Sequence, residues 1–346
     1  MKIDEIKTKI ESKEYDFLRK KPLKDSIILL GLGGSYAYGT NVENSDIDIR
    51  GIANNSAEEI LCGNGFDQVL DNQTDTTVYS LKKIINLLSN CNPNTIEILG
   101  LEDSHYLYMN DIGRALVKNA DMFLSKRAVQ SFGGYANAQL RRLENKSARL
   151  LAQSENEKHI LNSIENASYS FKDRYFPLSE NDYINLYVDK AVNKEYDSEI
   201  FMDAHVSHYP LRDYRDMWSE MNSILKSYSS IGKRNKQAIE HDKLGKHMMH
   251  LVRLFFMCFD ILRDGKIVTY RKKDHDTLME IRNGKYLDKN EQPTREFYDW
   301  VTDLENELEY LKDHTDLPDN PDYERINKFL ADANYEVVIN DYKNAR

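Results

Sequence analysis

The segment Gly31–Ile52, GLGGSYAYGTNVENSDIDIRGI, constrains the fold more than any other part of the chain. An apolar run, Lys24–Leu30 (KDSIILL), reads as a short strand closed by glycines. Gly33-Gly34-Ser35 then supplies a turn in which a backbone without a Cβ can approach phosphate and a hydroxyl can donate to it. A helix starting after Ser35 would direct its N-terminus at the same anion. Ten intervening residues lead to Asp46-Ile47-Asp48-Ile49, within a second expected strand, Ser45–Ile52. Alternate residues of a strand share a face, so Asp46 and Asp48 project together while Ile47 and Ile49 pack inward. Two neighbouring carboxylates repel unless a cation neutralises them. Magnesium, with manganese as the alternative, takes such hard oxygen ligands and shares them with substrate phosphates.

A third expected strand, Thr74–Leu81 (TDTTVYSL), supplies Asp75 as the best third carboxylate; Asp71 and Asp67 are its competitors. Helical spacing follows over Lys82–Asn90 and is interrupted at Asn92-Pro93-Asn94. Beyond about residue 109 strand signals nearly vanish. Helices are expected at Ala128–Leu151, Asn156–Phe171, Tyr209–Tyr228, Lys236–Leu262, Asp274–Ile281 and Thr294–Leu311. The resulting expectation is an α+β chain: a mixed sheet with helices over residues 1–110, then an all-helical domain over residues 111–346, with the site in the cleft between them.

In the helical half, Lys246, His250 and Arg253 follow i, i+4, i+7 and share one helix face, which would suit triphosphate or an RNA phosphate. Arg141 and Arg142 are a weaker basic candidate. Lys233-Arg234 and Arg271-Lys272-Lys273 read as surface charge, and His205 with His208 lacks a third metal ligand of matching spacing. The 22 tyrosines could stack bases, though at helical spacing most are expected to pack. The net charge of −10 argues against binding nucleic acid by bulk electrostatics and leaves room only for a local basic groove. Three scattered cysteines fit neither a disulfide framework nor structural zinc. No apolar run reaches the roughly 18 residues of a membrane span, and the charged first helix lacks the apolar centre of a signal peptide. A cytoplasmic protein without membrane contact is expected.

The Gly-Ser turn followed by Asp-x-Asp between apolar residues resembles the signature of the DNA polymerase β-type nucleotidyltransferase superfamily. The wider chain resembles the bacterial and phage nucleotidyltransferases associated with RNA repair, through GSYAYGTNVENSDIDIRGI, DTTVYSLKKIINLLSNCNPNTIEILG, SFGGYANAQLRRL and KHMMHLVRLFFMCFDILRDGKI followed by LMEIRNG. The resemblance implies a polymerase-β-like sheet with Asp46 and Asp48 on one strand and a third carboxylate, Asp75, on its neighbour. Asp46, Asp48 and Asp75 would bind magnesium and carry catalysis, and Asp75 could also act as general base. Gly34, Ser35, Lys246, His250 and Arg253 would hold the nucleotide. The implied reaction moves a nucleotidyl group from an NTP to an acceptor, with an RNA end suggested by the RNA-repair association. Alternatives are nucleotidylation (AMPylation) of a protein hydroxyl, transfer to a second nucleotide, and a non-catalytic nucleotide sensor.

Overall fold

The computed structural model describes residues 1–150, 183–190, 198–232, 243–289 and 291–344. The chain divides into two compact units. The first comprises Met1–Leu140, Gly245–Tyr286 and Arg295–Arg346, and the second Arg141–Leu244 and Leu287–Thr294.

The first unit is built on a mixed sheet of β1 (Ile27–Leu32), β2 (Ile49–Ala53), β3 (Gln68–Asp71), β4 (Thr76–Ser80) and β5 (Tyr106–Met109), in the order β3-β4-β2-β1-β5. β2 runs parallel to β4, and the other pairs are antiparallel. β1 (IILLGL) is apolar along almost its whole length because both of its faces are covered. On one side Leu30, Ile49, Ala53 and Val78 pack with Ile10, Tyr15, Leu18 and Leu23 from the N-terminal segment, which contains α1 (Ile3–Lys9). Each large aliphatic side chain buried in this way contributes roughly 1.5–3 kcal/mol.

The strands are shorter than the alternation of SDIDIRGI and TDTTVYSL suggests. β1 ends at Leu32, the partner of Ile49, because the chain turns away at Gly33-Gly34, and β4 begins opposite Ile49 at Thr76. Residues 45–48 therefore have no ladder to join, and Asp46 and Asp48 lie on the lead-in to β2 rather than within it. After β4, Ser80 accepts a hydrogen bond from the Lys83 amide and caps α4 (Leu81–Ser89), whose Leu81, Ile84, Ile85 and Leu88 are buried. Asn92 caps the next turn, α5 (Pro93–Ile96), which delivers Glu97.

The C-terminal part is rich in helices: α7 (Arg127–Leu150), α8 (Leu211–Gly232), α9 (Lys243–Asp264), α10 (His275–Arg282), α11 (Arg295–His314) and α12 (Tyr323–Asn344), with α6 (Asp111–Lys118) preceding them. The expectation of an all-helical domain is corrected here. The second unit contains an antiparallel pair, β6 (Tyr183–Lys190) and β7 (Ser198–His205), whose YINLYVDK and SEIFMDAH carry the β-branched and aromatic residues that favour strands. The expected helix at Asn156–Phe171 and the pair Lys233-Arg234 lie outside the described residues.

α9 is buried on nearly every side, with Leu244, Met248, Met249, Leu251, Val252, Leu254, Phe255, Met257, Cys258, Phe259, Ile261 and Leu262 all in the core. An all-round apolar helix is a core element, not a surface one. Within the first unit the start of α12 is tied to the segment after α6: Arg325 pairs with Asp121 at 2.7 Å, and the Asp322 amide donates to the Met122 carbonyl at 2.9 Å.

Candidate active site

Pairing register assembles the site. Ile49 lies opposite Thr76 on parallel neighbours, so Asp48 and Asp75, one residue earlier on each chain, come side by side. The Ile49 amide donates to the Asp75 carbonyl at 3.2 Å, and the Asp75 carboxyl adjoins that of Asp48 closely enough to raise it. Asp75 has φ +46°, a left-handed conformation that aspartate tolerates better than most residues. Its competitors are engaged elsewhere. Asp71 accepts from the Thr74 amide and hydroxyl at 2.9 and 2.8 Å and shapes the β3–β4 turn, and Asp67 faces Lys83 at 3.7 Å.

The glycine turn is fitted to this acid pair. The Gly33 amide donates to the Asp48 carbonyl at 2.8 Å. Gly34, at φ +55°, lies so close to the Asp48 carboxylate that a Cβ there would stand 1.7 Å from Oδ2. Gly34 opens α2 (Gly34–Tyr38), which also carries the half-buried Ser35 and ends at Gly39 in the left-handed region. A helix of five residues is too short for the dipole effect expected of it; what it supplies is close backbone approach.

Arg50, two residues beyond Asp48, reaches back to both acids: Nη2 is 3.9 Å from Asp48 Oδ1, and Nη1 is 3.6 Å from Asp75 Oδ1 and donates to the Asp75 carbonyl at 2.9 Å. Even so, burial and the adjoining Asp75 carboxyl push the Asp48 carboxyl up to about 7. This is the behaviour of two carboxylates forced together with too little positive charge between them. Asp46 is exposed, two residues before Asp48. Among the described residues no three His, Cys, Asp or Glu side chains converge closely enough to hold a metal ion.

The interior of the site holds residues that the spacing argument did not select. Glu97 is fully buried, accepts a hydrogen bond from the Tyr38 hydroxyl at 2.5 Å, and faces Arg253 Nη1 at 3.9 Å. The Arg253 guanidinium lies 3.6 Å over the Tyr38 ring. Burial raises the Glu97 carboxyl and the Tyr38 phenol, while Arg253 opposes both shifts. The signal for Glu97 was present: a lone acid inside the apolar run TIEILGL is misplaced unless it has a partner. Arg50 was legible too, since it shares parity with Asp46 and Asp48.

The basic stripe on α9 is distributed over three environments. Lys246 is exposed, His250 is half-buried and meets the Tyr38 ring edge-on at 6.4 Å, and Arg253 is buried against Glu97. Burial and the neighbouring Arg253 and Lys246 charges hold the His250 imidazole well below its ordinary value, so it is neutral at pH 7. The Arg271-Lys272-Lys273 run, expected on the surface, is corrected at its first member. Arg271 is buried and paired with Asp260 and Asp274. An open cavity of 230 Å³ lies beside Tyr38, lined by Tyr270, Arg271, Lys272, His275 and Asp276, and Asp46, Asp48 and Asp75 do not line it. Arg141 and Arg142, His205 and His208 are exposed.

Residues 4–159 match the RNA repair pathway DNA polymerase beta family. The matched stretch contains the glycine turn, Asp46, Asp48, Arg50, Asp75 and Glu97, and leaves out the α9 residues Lys246, His250 and Arg253. The family's description names the same superfamily and the same RNA-repair setting that the residues themselves resemble. No curated protein and no solved structure matches the chain. Among the described residues no helix is long and apolar enough to cross a membrane.

Proposed function

We propose that the chain is a magnesium-dependent nucleotidyltransferase that moves a nucleotidyl group from an NTP to an RNA end. The reading is carried by the apposition of Gly34 and Asp48, with Asp75 brought alongside by the pairing of Ile49 with Thr76. A carboxylate pair set against a glycine-lined backbone is what nucleotidyl transfer requires: the backbone admits phosphate closely, and the acids face the reacting oxygens.

The donor set suits a hard divalent cation. Asp48 and Asp75 are oxygen donors already in contact, and the repulsion that raises Asp48 is what a cation relieves. Asp46, exposed two residues before Asp48, would complete the set only by turning toward the pair, since the three do not converge in this structure. Magnesium held there would supply positive charge to the phosphates as negative charge builds in the transition state.

The chain's own residues do the rest. Gly33 and Gly34 leave room for the triphosphate against α2, and Ser35 offers a hydroxyl donor. Arg50 tempers the charge of the acid pair. An acceptor hydroxyl oxygen forms its bond to the α-phosphorus as the bond to the β-phosphate oxygen breaks, and pyrophosphate leaves. The proton lost by the acceptor passes to an unprotonated carboxylate of the pair. Lys246, exposed on α9, is assigned to anionic substrate.

The test is incubation of the purified chain with α-labelled NTPs and magnesium, in the presence of RNA bearing defined ends or with the protein alone. Label on RNA, lost in EDTA and in Asp48→Asn, is the expected result. Label on protein only would replace the RNA acceptor with a protein hydroxyl, and no label on any acceptor would remove transferase activity.

A further inference from the structure

The interior charges at Glu97 and Arg253 call for a reason. A buried ion pair seldom stabilises a fold better than apolar residues of the same volume would. Here the pair encloses one side chain. The Tyr38 hydroxyl donates to Glu97, its ring lies beneath the Arg253 guanidinium at 3.6 Å, and His250 closes its edge at 6.4 Å. Arg253 is itself fixed from behind, with Nη1 2.9 Å from the Met257 sulfur. Glu97 is anchored through its backbone, its carbonyl accepting from the Thr269 hydroxyl at 2.6 Å.

Tyr38 is the last residue of α2, and Gly34, at the other end of that single turn, abuts the Asp48 carboxylate. A short helix cannot hold its own orientation, since isolated helices of this length are unstable and need tertiary contacts. Gly39 at φ +74° ends α2 and packs so tightly on Tyr270 that a Cβ there would stand 2.5 Å from the ring. The direction of α2 is set by Tyr36 in the core beside Ile6 and Leu32, by the Arg271 amide donating to the Tyr38 carbonyl at 3.0 Å, and, at the end nearest α9, by what grips the Tyr38 side chain.

We propose that Arg253, Glu97 and Tyr38 form a latch through which α9 positions the Gly34–Ser35 turn against Asp48, so that Arg253 acts through Tyr38 and does not itself contact the nucleotide. The latch deepens the nucleotidyltransferase reading and rests on it for its kinetic consequence, while its structural consequence can be measured without any activity.

Two variants test it. Arg253→Lys keeps the charge and loses the flat guanidinium, and Tyr38→Phe keeps the stacked ring and loses the hydroxyl. In the full chain, amide hydrogen exchange over residues 33–40 should quicken by about tenfold or more in Arg253→Lys, with the remainder of the sheet unchanged. If the wild type transfers label, kcat should fall by about tenfold or more while the KM for NTP stays within about threefold, because a mispositioned turn costs orientation rather than binding. Arg253→Lys combined with Tyr38→Phe should lose little beyond the worse single variant. A tenfold rise in KM at unchanged kcat would make Arg253 a direct phosphate contact and overturn the latch. Unaltered exchange over residues 33–40 would overturn it as well. Should Arg253→Lys fail to fold, Tyr38→Phe carries both measurements. Should the wild type transfer nothing, the functional reading falls and the exchange experiment decides the latch alone.

Discussion

Gly34→Ala is the sharpest perturbation of the site. The added Cβ would stand 1.7 Å from Asp48 Oδ2 and 2.7 Å from Cγ, well inside contact distance, and φ is +55°. The backbone conformation alone costs a non-glycine residue roughly 1–2 kcal/mol. The clash is relieved only if the Asp48 carboxylate swings away, which surrenders its pairing with Arg50 at 3.9 Å, worth about 1 kcal/mol. Total destabilisation should therefore be about 2–3 kcal/mol, a fall in Tm of roughly 4–12 °C at the 2–4 °C per kcal/mol of larger domains. Activity should suffer more than stability. A displaced Asp48 removes an electrostatic element from the transition state, a loss on the order of 100-fold or greater in kcat. Gly33→Ala is the control: its backbone is extended, and its Cβ would come no nearer than 3.1 Å to Arg50 Cγ and 3.3 Å to Asp48 Cβ, so a small adjustment accommodates it. Thermal melts and labelled-NTP transfer measured side by side check both variants. If Gly34→Ala melts and turns over like the wild type, the turn and the acid do not meet as described, and the argument from their apposition fails.

Asp46→Asn, Asp48→Asn and Asp75→Asn should each lower transfer by about 100-fold or more, with the fold intact by circular dichroism; full activity in any one would exclude that acid from the site. His250 gives a pH signature. The folded chain keeps its imidazole neutral, while the unfolded chain binds a proton below about pH 6.5, so this group's contribution to stability falls as pH drops from about 7 to 5, by at most about 1.4 kcal/mol per pH unit. The raised Glu97 and Asp48 carboxyls act in the opposite sense, binding protons in the folded state first. The wild-type and His250→Gln denaturation curves should therefore diverge toward neutral pH, and parallel pH dependence would show that the imidazole is not held neutral. Arg325→Ala removes an exposed pair with Asp121, whose carboxyl that arginine holds low, and should cost no more than about 1 kcal/mol in urea denaturation, less at high salt.

The legible parts of this molecule are those where local pattern and tertiary demand coincide. The β1 run IILLGL and the 3.6-residue spacing of Leu81, Ile84, Ile85 and Leu88 leave a strand and an amphipathic helix few alternatives. Parity alone puts Asp46, Asp48 and Arg50 on one side of an extended chain. What local pattern cannot supply is register. That Asp48 and Asp75 adjoin follows from Ile49 pairing with Thr76, a contact between parallel strands whose offset is set by the turn at Asp71–Thr74 and by core packing around Val78. The antiparallel pair Tyr183–Lys190 and Ser198–His205 is obscured by a different effect: its strands stand among long helical periods, and a helical expectation for the surroundings absorbs residues whose own alternation favours strand.

The same distinction applies to α9. Lys246, His250 and Arg253 do fall on one stripe, and a stripe of cations on an amphipathic helix normally faces water. Sequence spacing fixes which residues share a face but not what the face meets. On a helix buried on nearly all sides, a cation at the third position must find an internal anion or be neutral, and an arginine cannot become neutral. Glu97 is that anion, contributed from more than 150 positions earlier in the chain. Its place in an apolar run and the place of Arg253 among Leu251, Val252, Leu254 and Phe255 are two halves of one observation, a charge of each sign embedded where solvent cannot reach. Each is unfavourable alone and tolerable only as a pair, so each predicts the other. The aromatic ring held between them is the one belonging to the helix that begins at Gly34, which ties the buried charges of the core to the acids of the site.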